Sequence, residues 1–137
     1  MSETNRQDPR RQEYSVAGMN LPISHYTDAV RFGDIVFLSG VGPLEEDLSL
    51  VGGDDVVAQA RKTHENLGYV LEALGASFAD VLKVTVYLTD VGDRTAINPV
   101  RQEFFGEARP ASTLIGVNEL AIPGMKLEIE AVVGLPH

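Results

Sequence analysis

Two stretches of this chain carry a helical period and six others read as strands, and that imbalance is the tightest constraint on its fold. Two helices cannot cover both faces of a six-stranded sheet. The economical packing sets both on one face, an α+β layer. The expected order is β-β-β-α-β-α-β-β in a mixed β-sheet, with the other face left for subunit contacts. In "KLEIEAVV" Leu127, Ile129 and Ala131 point one way, and Glu128, Glu130 and Val132 the other. A half-apolar face of that kind is buried against something in a stable assembly.

The elements follow from local chemistry. "EYSVAG" reads as a first strand, and "AVRFG" with "DIVFLSG" reads as a hairpin turning at Gly33-Asp34. Asp54 or Asp55 is placed to cap a helix whose stripe is Val56, Ala60, Thr63, Leu67, Val70 and Leu74. Gly75 ends it as a C′ glycine. "DVLKVTVYLTD" alternates as a strand, and Asp93 is placed to cap a second helix, "RTAINPVRQEFFG". Pro99 predicts a kink or a fresh start there, with Asn98 as cap. "STLIGV" and "KLEIEAVV" read as two closing strands joined by a turn at Pro123-Gly124.

With 137 residues, 44% hydrophobic and 23% charged, the chain fits one domain, expected over 14–137. Residues 1–13 are polar and broken by Pro9, and read as a mobile arm without the apolar core of a signal peptide. Positive and negative charges cancel within that arm, so the folded body carries the whole formal charge of −9. Only eight Lys and Arg follow residue 13. Such a body repels phosphate backbones and anionic lipid, so neither nucleic acid nor membrane is an expected partner. Cysteine is absent, which removes thiol chemistry and is compatible with a cytoplasmic location. His25, His64 and His137 are scattered without ligand spacing, so no metal and no cofactor is expected. His64, beside Glu65, is expected to be partly exposed.

Four segments in order, "SHYTDAVRFGDIVFLSG", "DVVAQARKTHENLGYVLEALGASFADVLKVTVYLTD", "INPVRQEFFG" and "RPASTLIGV…LAIPGMKLEIEAVV", resemble the RidA/YjgF family, also labelled endoribonuclease L-PSP. The resemblance implies a chorismate-mutase-like fold, a homotrimer and small-molecule clefts between subunits. It also implies hydrolysis of reactive enamines or imines to a ketone and ammonia. The family's tyrosine falls on Tyr26, here preceded by Ser24-His25, and its serine on Ser39, followed by Gly40 and Val41. Its helix asparagine falls on Asn98 and its strand glutamate on Glu128. The arginine that grips a substrate carboxylate is replaced by Ser112, and a common cysteine by Leu114.

Each candidate has two readings. Glu128 is either a carboxylate that activates water and shuttles a proton, or a strand residue paired at an interface. Tyr26 orients a ligand or rims the domain. Ser39 donates to a bound anion or ends a strand. Asn98 binds a ligand or caps a helix. His25 supplies acid–base chemistry or lies on a loop. Ser112 offers one neutral hydroxyl where an arginine would make a two-pronged contact. Arg109 lies about 10 Å away at about 3.3 Å per strand residue, and alternation turns it to the opposite face if the strand reaches it. The substrate expected from Ser112 alone is therefore no simple amino-acid-derived imino acid. The alternatives to an enzyme of this type are a non-catalytic, chaperone-like ligand-binding trimer and an endoribonuclease.

Overall fold

The computed structural model describes residues 8–136. Six strands form one sheet: β1 (Arg11–Tyr14), β2 (Ala29–Phe32), β3 (Ile35–Val41), β4 (Val81–Leu88), β5 (Ala111–Gly116) and β6 (Leu127–Gly134). The helices are α1 (Val56–Ala73) and α2 (Arg94–Phe105). The spatial order is β1-β2-β3-β6-β4-β5, all antiparallel except the β4–β5 pair. Both helices cover one face, so the α+β layer expected from the helix count is the fold.

The core lies between the helices and that face. Val84, Val86 and Leu88 of β4 and Leu127, Ile129 and Val133 of β6 meet Leu67 and Leu71 of α1 and Ile97 and Val100 of α2. Strand β6 alternates buried and partly open residues along its length, and β4 does so from Lys83 onward, past a register irregularity at Val81–Lys83. The opposite face keeps Phe37 at 55% exposure, with Phe32 and Ile35 beside it. The strands there pair side by side, Phe37 lying between Val30 of β2 and Val132 of β6. Among the described residues no helix is long and apolar enough to cross a membrane.

Helix α1 starts where its cap predicts. Asp55 Oδ1 accepts from the Val57 and Ala58 amides at 3.0 and 3.2 Å. Gly75 takes φ +71°, the left-handed turn that a C′ glycine allows. Asp55→Ala is expected to cost about 1 kcal/mol of stability, as losing a cap usually does, and urea denaturation checks it.

Four expectations are corrected. The first strand spans Arg11–Tyr14 rather than 13–18, because it pairs with β2 in the register Arg11 to Phe32 through Tyr14 to Ala29. That places residues 11–13, expected in the arm, in the sheet; residues 1–7 and His137 lie outside the described residues. Helix α2 runs unbroken through Pro99, so Asn98 sits inside it and caps nothing. The carbonyl that Pro99 leaves without its amide belongs to Thr95, an exposed residue whose backbone water can reach. Asp93 holds the cap position but makes no side-chain cap bond, because a short 3-10 turn at Val91–Asp93 feeds directly into the helix. Finally, the two closing strands form as expected, with a turn at Pro123-Gly124 between them, but they do not pair: β6 lies between β3 and β4, and β5 forms the edge.

Candidate functional site

The sheet is irregular at one place that bears on chemistry. Between Leu38 and Val41 strand β3 gains a residue against Ala131–Ile129 of β6, a bulge at Ser39-Gly40. Glu128, on the open face of β6 opposite Tyr87, lies against it. A Cβ at position 40 would come within 2.6 Å of Glu128 Cδ, so glycine there is what lets the carboxylate approach the strand. Glu128 is half-buried. Burial, and secondarily the neighbouring Glu130 charge, pushes its carboxyl above the usual range. Glu130 is engaged, accepting a hydrogen bond from the Tyr87 hydroxyl.

His25, Tyr26 and Ser39 line one recess on the β1–β2 side of this bulge, of about 380 Å³. Tyr26 is 44% exposed and its hydroxyl accepts from the Ile23 amide at 3.4 Å. Ser39 Oγ donates to the Thr27 carbonyl at 2.5 Å, so its proton is committed to the fold.

Asn98 and Ser112 meet in a second recess, of about 290 Å³, between α2 and the start of β5. No residue lines both recesses. Two arginines complete the second one: Arg101, which the sequence did not single out, and Arg109, which it placed about 10 Å from Ser112. Arg101 of α2 donates from Nη2 to Ser112 Oγ at 3.0 Å. Arg109 also lines it: β5 begins only at Ala111, so alternation does not turn that side chain away as expected. The spacing Asn98-Arg101, three residues apart on a helix, was the available signal for Arg101.

His64 is corrected as well. It is fully buried, its Nδ1 within 2.7 Å of the Ala60 carbonyl and its ring against Phe104 and Phe105. Burial holds its pKa below the ordinary histidine value. Gln59 and Asn66, also buried on α1, act as clamps. Gln59 joins the Gly53 and Gly124 carbonyls to the Lys126 amide, and Asn66 holds those of Gly42 and Leu44. They fix the loops that lead out of β3 and into β6, at the end of the sheet that carries Glu128. Among the described residues no group of three or more His, Asp or Glu side chains converges as a metal site would require.

The endoribonuclease L-PSP family model matches residues 18–134. The chain belongs to the RidA/YjgF family. It is 37% identical over 113 residues to a 2-iminobutanoate/2-iminopropanoate deaminase of Dermatophagoides farinae, covering 82% of this chain and 87% of that protein. It is 36% identical over 111 residues to the 3-aminoacrylate deaminase RutC of Acinetobacter baylyi, covering 81% of this chain and 87% of that one. Its fold superposes on RidA of an Antarctic Psychrobacter with a TM-score of 0.84 and 30% identity, over 90% of this chain and 99% of the other. Hydrolytic deamination of small molecules is thus a function found within the family to which this Rid chain belongs.

Proposed function

We propose that this Rid protein is a hydrolytic deaminase of a small, reactive enamine or imine. The reaction takes place in a cleft that neighbouring copies complete in the homotrimer implied by the family resemblance. The observation that carries this reading is Glu128: a half-buried carboxylate with a raised pKa, set against a bulge on a central strand. Deamination of an imine adds water to carbon, protonates nitrogen and expels ammonia, leaving a ketone. One carboxylate serves each transfer, taking a proton from water and delivering it to nitrogen. A raised pKa brings the two protonation states closer in energy near neutrality, where both are needed. Strands hold such a group more rigidly than a loop would.

The division of the remaining candidates supports an intersubunit site. His25, Tyr26 and Ser39 lie on one side of the chain's sheet and Asn98 and Ser112 in a separate recess at β5. A trimer brings the first group of one copy towards the second group of the next. Tyr26 and His25 then bound the ligand, and Asn98 contributes its exposed amide.

Ammonia release by purified protein tests the reading, on a panel of imines and enamines generated in place. Release above the uncatalysed rate is the expected result. Binding of panel ligands without release would identify a ligand-binding protein instead.

A further inference from the structure

The recess between α2 and β5 contains two arginines and no acidic side chain, in a chain whose formal charge is −9. Asn98, Gln102 and Ser112 supply further hydrogen-bonding groups. Arg101 is half-buried there, and among the described residues no carboxylate lies within ion-pair distance of it. Glu103, two residues on, is already paired with Arg61 at 2.5 Å. Burial is the one influence moving the Arg101 pKa, and it moves it down. An arginine nonetheless stays protonated, so the recess holds a partly desolvated positive charge without a counterion. Such a charge is unfavourable until an anion joins it.

We propose that Arg101, held in place by Ser112, binds the carboxylate of this protein's small anionic ligand. Ser112 has two attributes that suit the task. Its hydroxyl oxygen accepts one guanidinium N–H and fixes the planar group. The other four N–H donors remain for a ligand, as does the serine's own proton. Its small side chain leaves the recess open. At about 290 Å³ the recess is at the lower limit of ordinary ligand pockets, and suits an acid of a few carbon atoms. Arg109 also lines the recess and adds to its positive field. The loss of charge at position 112 is thereby offset from the helix, which reverses the substrate expectation drawn from Ser112 alone. The proposal rests on the deaminase reading only for the claim that this carboxylate belongs to the substrate.

Binding of unreactive probes tests it without turnover. Pyruvate and benzoate are titrated into the intact protein alongside their uncharged amides, with NMR shifts or calorimetry as readout. Wild type is expected to prefer each carboxylate over its amide, and the preference should shrink as salt is added. Arg101→Met should weaken carboxylate binding about 10-fold to 100-fold, the scale of a charged hydrogen bond, and leave amide binding unchanged. Arg101→Gln, which keeps a polar end, should do the same and decides the matter if the methionine variant does not fold. Arg109→Met should have the smaller effect. Equal binding of acid and amide by wild type would overturn the proposal, as would full carboxylate affinity in an Arg101 variant. Arg101-dependent binding without ammonia release would overturn the deaminase reading alone. Ammonia release with Arg101-independent binding would overturn this proposal alone.

Discussion

Replacing Glu128 by glutamine is expected to lower turnover about 100-fold or more while leaving the fold and assembly intact. Glutamine keeps the shape that Gly40 accommodates but cannot take a proton from water. Glu130→Gln is the companion measurement and should matter less, since that carboxylate already accepts from Tyr87. The pH profile separates a reacting carboxylate from a structural one. A base must be deprotonated, so kcat/KM of wild type should fall as pH drops through the raised Glu128 pKa, above the ordinary glutamate value of about 4.3. That limb should vanish from the residual activity of the variant. Stability should move the other way. A folded-state pKa above the unfolded one contributes stability that is fully present below the unfolded pKa and is lost as pH rises through the folded one. Glu128→Gln should therefore melt higher than wild type near neutral pH, and the gap should close in acid. Equal turnover by the two proteins would show that Glu128 serves structure alone.

Phe37→Asp should abolish assembly. Phe37 is 55% exposed at the middle of the open face, between Val30 and Val132. Burying a phenylalanine at an interface stabilises each copy by about 1.5–3 kcal/mol, and a carboxylate in its place reverses the sign. Wild type should sediment at three times 14.8 kDa and the variant at 14.8 kDa. Activity should fall with the assembly, because the groups around His25–Ser39 and around Asn98–Ser112 would no longer face each other. The helix-covered core lies on the opposite side of the sheet, so the variant should keep its secondary structure by circular dichroism. A trimeric, active Phe37→Asp would show that this face is not what the copies share.

Local signals were legible where one residue settles a backbone choice. Asp55 and Gly75 bound α1 because one satisfies free amides and the other tolerates a positive φ. The alternation in β4 and β6 assigned both faces correctly because the period of a strand is fixed by geometry. Pro99 misled because, even as the sixth of twelve residues in α2, it frees only the Thr95 carbonyl, and an exposed carbonyl finds water. His64 read as half-exposed because nothing local announces that Phe104 and Phe105, forty residues on, close over it. The contact between Arg101 and Ser112 was hidden too, although only eleven residues separate them. Such a contact depends on which side of the sheet α2 lies and on where β5 begins. Strand order was equally hidden, since pairing β6 with β3 and β4 is a choice of the whole chain.

That strand order has a consequence for biosynthesis. On a ribosome β3 and β4 emerge well before the strand that belongs between them. Until residues 127–134 leave the exit tunnel, both strands offer bare hydrogen-bonding edges, and the apolar rows of Val36, Leu38, Val84 and Val86 have no closing neighbour. The sheet therefore forms in one late event that joins segments about ninety residues apart in sequence, the kind of long-range closure that makes folding slow. Nascent chains halted before Leu127 should accordingly be the species that holdase chaperones retain and that proteases clip.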